Sequence, residues 1–494
     1  MSALKSDLSY AFARDKGLVV LEGFEDQVRL AVRHGADPFS LIEARRVLRR
    51  PLQLQAMGPQ EFERALTEHY AREGVSGDEA EAALDSQGLA SLVDGIPETA
   101  DLLDGEDDAP VIRLINGLIY EAVNRKASDV HIEPHEETLS VRYRIDGVLQ
   151  EVLTPSRRLA APLTSRIKVM ARLDIAEKRV PQDGRISLSI GGRSIDVRVS
   201  TLPSRYGERV TMRLLDTRNA LLGLDELGMD ETTLSRFRDI LAQPNGITLV
   251  TGPTGSGKTT TLYSALSVLN NGERNVMTLE DPIEYGLEGI SQTQMHHKVG
   301  LTFAATLRAI LRHDPDVVMV GEIRDLETAK VAFEFASTGR PVLSTVHTNS
   351  AAGAIQRLRD MGIEPYVLAA TLKAVIAQRL VRKLCEHCRQ PHDSTPEELA
   401  MFGLQAHEAP QLWRPVGCMA CGNSGYNGRL GVYELITVDG GLRDLIRADG
   451  SEDDIQDMAF AQHDTLFRNA ARYVQTGQTS VEEVLRVCRR EEER

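Results

Sequence analysis

The stretch Ile247-Thr-Leu-Val-Thr-Gly-Pro-Thr-Gly-Ser-Gly-Lys-Thr-Thr-Thr-Leu-Tyr-Ser-Ala-Leu-Ser-Val-Leu269 decides the fold. Ile247 to Val250 is a short apolar run of the kind that forms a buried strand. A Gly-rich loop follows, then Leu262, Ala265, Leu266 and Leu269 recur at helical spacing. Strand, loop and helix give G-x-x-x-x-G-K-[ST] the context it needs to cradle phosphates. Glycines permit tight turns, so successive backbone N–H groups point at phosphate oxygens, and the helix N-terminus adds its positive dipole end. The expected nucleotide contacts are Gly252, Pro253, Thr254, Gly255, Ser256, Gly257, Lys258, Thr259 and Thr260. Lys258 reaches the β- and γ-phosphates and the Thr259 hydroxyl holds Mg²⁺.

Outward from this loop, strands and helices alternate. The runs VMTLE, DVVMV and PVLSTV each join helical segments, which predicts a mostly parallel sheet covered on both faces. Ligands of such sheets sit at the carboxyl ends of the strands. Asp316 to Glu322 is an apolar strand ending in a carboxylate, the second element of a loop-type NTPase. Glu322 there orients or deprotonates water, or holds Mg²⁺ through water. Glu280, Asp281 and Glu284 end another strand; by spacing alone they are equally a metal-assisting group and a polar turn closed by Pro282. His347 ends a fourth strand, where it can sense the γ-phosphate or be an ordinary satisfied histidine. Arg308 and Arg312, four apart on a helix, form a solvated charged face or reach a phosphate or a neighbouring subunit.

Before the loop lies a different unit. Residues 109–228 read as a helix over VIRLINGLIYEAVNR, a turn at 127–129, and period-2 strands, two of them joined by Gly191-Gly192 as a hairpin. Its strands carry Arg185, Arg198, Arg209 and Arg213, on a solvated face or closing over a nucleotide. Residues 96–108 contain the acidic linker Asp101–Asp108. Residues 1–95 read as helices, either a plain α-rich domain or a docking module. Residues 229–494 hold the nucleotide site and, at 384–422, two C-x-x-C pairs.

Cys385, Cys388, Cys418 and Cys421 suit a closed, structural tetrahedral Zn²⁺ site. His387 and His392 are rival ligands, but four thiolates in two knuckles are the better set. Cys488, the last of five cysteines, has no assigned role. With 57 basic and 72 acidic residues the net charge is −15, poorly suited to a non-specific grip on nucleic acid. No apolar run of membrane-spanning length and no signal peptide is visible, so a cytoplasmic protein is expected.

The blocks KASDVHIEP, RYRIDGVL, GERVTMRLLD, GPTGSGKTTTLYSAL, TLEDPIE, VGEIRD, STVHTN and GYNGRLGVYE resemble signature blocks of the secretion ATPase superfamily. The resemblance covers about residues 108–490 and, with the paired knuckles, is greatest to type II secretion assembly ATPases; type IV pilus assembly ATPases are the nearest rival. It implies an α/β, RecA-like ATPase domain with a parallel-rich sheet, preceded by an α+β, PAS-like domain and a small α-rich N-terminal domain. It implies ATP, Mg²⁺ and structural zinc as cofactors, with Glu322 and Glu280 catalytic and His347 in a histidine box. Arg198 and Arg213 then meet the nucleotide, and Arg308, Arg312 and Arg429 lie near it or at subunit contacts. A homo-hexamer is implied, peripheral on the cytoplasmic face of the inner membrane, docked by its N-terminal domain on secretion platform proteins. The knuckle CEHC departs from the commoner Cys-Pro form, and the N-terminal region diverges. Outside this family, a hexameric nucleic-acid motor and a nucleotide-binding scaffold without turnover are the other classes.

Overall fold

The computed structural model describes residues 109–488 apart from 191–192, 217–221, 402–410 and 462, together with 16–23, 27–59, 89–93 and single positions between 8 and 69. The expected linker 96–108 and the Gly191-Gly192 turn lie outside the described residues. The chain divides into two compact units, Met1–Thr217 and Arg218–Arg494.

At the start of the first unit, β1 (Leu18–Gly23), β2 (Val28–Arg33) and β3 (Leu52–Met57) form one sheet in that order, with α1 (Phe39–Leu48) between β2 and β3. Strands β1 and β2 are antiparallel, β2 and β3 parallel. This corrects the all-helical reading of the stretch. Val28, Leu30 and Val32 alternate with Arg29, Ala31 and Arg33, a period of two that the surrounding Arg and Glu residues masked. Leu18, Leu30, Ala44 and Leu48 pack as one small core, and Val19, Ala31 and Met57 as another.

The larger sheet of this unit is fully antiparallel. Helix α2 (Ala109–Asn124) buries Val111, Leu114, Ile115, Leu118, Ile119 and Ala122, the i, i+3, i+4 stripe of an amphipathic helix. It turns at Arg125-Lys126, where Lys126 is left-handed at φ 55. The turn expected at 127–129 is instead the start of β4 (Ala127–Pro134), with a register shift at that point. There follow β5 (Leu139–Ile145), β6 (Val148–Leu153), α3 (Ala160–Met170), β7 (Gln182–Ile190), β8 (Arg193–Ser204) and β9 (Gly207–Asp216), in the order β6-β5-β4-β9-β8-β7. Val130, Ile132, Val197, Val199, Val210 and Met212 share the buried core of α2 and α3. On the polar face, the register sets Arg185 opposite Arg198, Arg198 opposite Arg213, and Arg213 opposite Asp129.

The second unit is a seven-stranded sheet. Helix α4 (Glu231–Leu241) precedes β10 (Gly246–Thr251), and the chain continues through α5 (Lys258–Leu269), β11 (Val276–Glu280), β12 (Ser291–Gln294) and α6 (Phe303–Ile310). It goes on with β13 (Val317–Val320), α7 (Leu326–Ser337), β14 (Pro341–Val346), α8 (Ala351–Asp360) and β15 (Leu372–Leu384). After the hairpin strands β16 (Gln390–His392) and β17 (Leu412–Arg414) comes β18 (Tyr426–Thr437), and the sheet order is β12-β11-β13-β14-β10-β15-β18. All neighbours are parallel except β15 and β18. Ile247, Leu249, Val318 and Val320 pack with α6, α7 and α8, whereas Val250, Val317 and Met319 pack with α4 and α5. Burial on both faces explains why these strands read as continuous apolar runs.

Candidate active site and thiolate centre

The loop after β10 brings the motif residues together at the carboxyl end of the sheet. Pro253, Thr254 and Gly255 are exposed, Ser256 is buried, and Lys258 opens α5 with Thr259 exposed on its first turn. The Lys258 ammonium bends back over the loop, 2.7 Å from the Gly252 carbonyl and 3.1 Å from that of Pro253. Burial lowers its pKa to about 8, against the opposing pull of Glu322. Those two carbonyl contacts are the ones a γ-phosphate oxygen would replace.

Strands β13 and β14 end beside this loop. Thr251 pairs with Val346, and Val320 with Ser344, so Gly252, Glu322 and His347 follow the ends of three adjacent strands. The Thr345 hydroxyl donates to the Gly321 carbonyl at 2.8 Å, and Ile323 N–H to the Thr345 carbonyl at 2.9 Å, fixing the turn that carries Glu322. Only 9% of Glu322 is exposed. Its carboxylate lies 2.5 Å from the Arg324 guanidinium and 3.5 Å from His347 Nε2. Burial, then the neighbouring Lys258, lowers the His347 pKa and favours the neutral ring. Arg324 stands in the quoted VGEIRD block but had no role from spacing. Arg379 and Gln378 of β15 were also missed: Arg379 donates to the Asn349 carbonyl at 2.6 Å, and Gln378 to the Ser256 carbonyl at 2.6 Å. Nothing local in AVIAQRLVRKL marks either one.

The remaining predicted residues sit on other elements. Glu280, at the end of β11, is buried and takes hydrogen bonds from the Tyr263 hydroxyl, from Thr278 at 2.6 Å and from Gln292 at 3.0 Å. These three partners belong to α5, β11 and β12. Arg308 pairs with Glu327 at 2.8 Å, and Arg312 donates to the Arg308 carbonyl at 3.1 Å, both on the surface. Arg429 is exposed on β18, opposite Arg382. In the first unit the exposed Arg213 is held by Asp129 at 2.9 Å, and Arg198 is half-buried beside it in the ladder.

The four predicted thiolates converge at the far end of β15. Their sulfurs all lie within 4.8 Å of one another. Cys385–Cys418, Cys388–Cys421 and Cys418–Cys421 are 3.9, 3.8 and 3.8 Å apart. A tetrahedral ion with bonds of about 2.3 Å to sulfur sets its ligands about 3.8 Å apart, so the donor set fits zinc. The N–H groups of Gly417, Cys418 and Gly425 donate to Cys388 and Cys421 at 3.2 to 3.3 Å, bonds that steady thiolate charge. His392 instead pairs with Glu398 at 3.0 Å.

Residues 104–486 match the family described as Type II/IV secretion system protein, and residues 7–70 match a domain family of GSPII protein E. The chain is 51% identical over 493 residues to Type II secretion system protein E of Aeromonas hydrophila, covering 99% of this chain and 98% of the relative. It is 49% identical to Type II secretion system ATPase E of Vibrio cholerae, covering 98% and 96%. Among solved structures, the pilus retraction motor PilT with bound ADP is 27% identical at a TM-score of 0.51, covering 75% of this chain and 95% of that one. The DotB ATPase of Legionella pneumophila, 21% identical at a TM-score of 0.56 over 75% and 94%, shares the fold.

Proposed function

The chain belongs to the Type II/IV secretion system protein family, and on that premise we propose that it is a Mg²⁺-dependent motor that hydrolyses ATP to ADP and phosphate to power type II secretion. One observation carries the reading: Lys258, Glu322 and His347 follow the ends of β10, β13 and β14 around one phosphate loop. The loop N–H groups and Lys258 hold the phosphates. Thr259 and Glu322 would hold Mg²⁺, which would neutralise phosphate charge. Glu322 takes the proton of the attacking water once it leaves Arg324, and His347 reports on the γ-phosphate. Glu280 acts through α5, where Tyr263 ties it to the helix that begins at Lys258. Arg198 and Arg213 add positive charge during turnover. The solved PilT motor carries ADP, which supports a nucleotide at the matching loop.

The wider assignment rests on the relatives, named for type II secretion and matched over nearly the whole chain. The protein works as a homo-hexamer, with Arg308, Arg312 and Arg429 toward neighbouring copies, and drives pseudopilus assembly from the cytoplasmic face of the inner membrane. Attachment to the membrane is through a partner protein; among the described residues no helix is long and apolar enough to cross a membrane. The N-terminal domain offers exposed Phe39 and Ile42 on α1 and Leu54 on the edge strand β3 for that contact. The Cys385, Cys388, Cys418 and Cys421 thiolates hold structural zinc.

Replacing the base tests the reading directly. Glu322→Gln is expected to cut ATP turnover by roughly 100-fold or more while ADP still binds. Unchanged turnover would remove Glu322 from the role. Lys258→Ala is expected to abolish both turnover and secretion; secretion that survives it sinks the motor.

A further inference from the structure

Gln378 lies on β15, immediately past Ala377, which pairs with Thr251 at the end of β10. It is 1% exposed. Its Nε2 donates to the Ser256 carbonyl at 2.6 Å, and its Oε1 accepts the Thr261 hydroxyl at 2.8 Å. One side chain therefore joins the middle of the phosphate loop to the first turns of α5. The same residue explains two of the loop's glycines. A Cβ on Gly252, at φ 146, would stand 2.6 Å from the backbone oxygen of Gln378 and equally close to Ser256 Oγ; one on Gly257, at φ 88, would stand 3.2 Å from Gln378 Nε2. The loop lies on Gln378 at both ends.

We propose that Gln378 is the positioning residue of the phosphate loop. Its amide turns the Ser256 carbonyl down toward the sheet. Apart from the Ser256 N–H, which donates to the Pro253 carbonyl at 3.3 Å, the N–H groups of the loop are thereby left facing the phosphates before any nucleotide arrives. Its side-chain Oε1, by accepting from the Thr261 hydroxyl, makes loop and helix one rigid body. This rests on reading 252–259 as the nucleotide loop. Such preset donors bind an oxyanion without reorganising, which is where their effect on affinity and turnover arises.

The test uses the full-length protein and two variants. Gln378→Met keeps the length and removes both hydrogen bonds. Gln378→Glu keeps the acceptor for Thr261 and sets a carboxylate oxygen against the Ser256 carbonyl. Both are expected to raise the ADP dissociation constant and the KM for ATP about tenfold or more, Gln378→Glu the more strongly. The melting midpoint without nucleotide should move much less than the ADP-induced rise in it. Combining Thr261→Val with Gln378→Met should add little to the affinity already lost. A variant that melts cooperatively and binds ADP as the wild type does overturns the proposal, as does Gln378→Met losing only melting midpoint while KM stays put. Should Gln378→Glu fail to fold, Gln378→Met and Thr261→Val carry the same comparison. Failure of the underlying reading looks different: wild type and Lys258→Ala would then bind ADP equally.

Discussion

Lys258 has two roles that oppose each other in pH. Burial holds its pKa at about 8, below the ordinary 10.5. Phosphate binding needs the charged ammonium. Below about pH 7 the group is charged in the free protein and affinity should be flat. Above about pH 8 a proton must be taken up with the nucleotide, so ADP affinity should fall by up to about tenfold per pH unit. The ligand-free fold behaves the other way. Its unfolded chain keeps the proton up to the ordinary pKa while the folded chain releases it near 8, so this group adds stability as pH rises between the two. Calorimetric titration with ADP at pH 7, 8 and 9 checks the affinity, and a melting scan over the same range separates it from unfolding. Flat affinity in the wild type would place the Lys258 pKa elsewhere. At this scale the motif made Lys258 legible, because strand, loop and helix are contiguous. Gln378 and Arg379 were not, because their partners Ser256 and Asn349 are distant in the chain and no local pattern records the pairing.

Strand β15 is the element that links the two chemical centres. Ala377 pairs with Thr251, Gln378 and Arg379 hold the segments that carry Ser256 and Asn349, and the strand runs on to Leu384, next to Cys385. Its antiparallel partner β18 starts at Tyr426, just past Cys421, with Cys385 N–H donating to the Gly425 carbonyl at 2.9 Å. Arg382 further ties β15 to Glu483 at 2.8 Å and lies over the Tyr426 ring at 3.9 Å. A metal at the four thiolates would close the loop between these strands, and a structural zinc contributes folding energy outright. One zinc per chain is therefore expected by mass spectrometry. Cys418→Ser should lower that content and reduce the melting midpoint by about 5–10 °C, a loss of a few kcal/mol for a unit of this size. Full metal content in the variant, or an unchanged midpoint, would dismiss a structural zinc. The knuckles were legible because C-x-x-C spacing is short-range. The strand β2 was not, since VRLAVR sits in an Arg- and Glu-rich stretch whose composition favours a helix while its alternation favours a strand.

For the whole molecule, net charge of −15 contrasts with where the cations stand. Lys258, Arg324 and Arg379 are already tied within the site to loop carbonyls, to Glu322 and to Asn349. In the first unit, Arg185, Arg198 and Arg213 stand opposite one another across β7, β8 and β9, an arrangement of like charges that costs stability unless an anion or carboxylate offsets it. Asp129 offsets one end of that row, and Asp196, 3.9 Å from Arg185, the other. Phosphoryl transfer gains on the order of 10³–10⁵ in rate from an arginine brought to the transition state. The proposed hexamer would supply such arginines from neighbouring copies, and Arg308 and Arg429 of the second unit stand exposed on α6 and β18. Specific ATPase activity should therefore rise with protein concentration, by about tenfold or more, and level off where sedimentation shows the ring. Arg308→Glu reverses a surface charge whose intrachain partner is Glu327, so it should shift that rise to higher concentration without unfolding the chain. Specific activity that stays constant from well below assembly to well above it would mean that one copy holds every group turnover needs, and the ring would then serve force rather than chemistry.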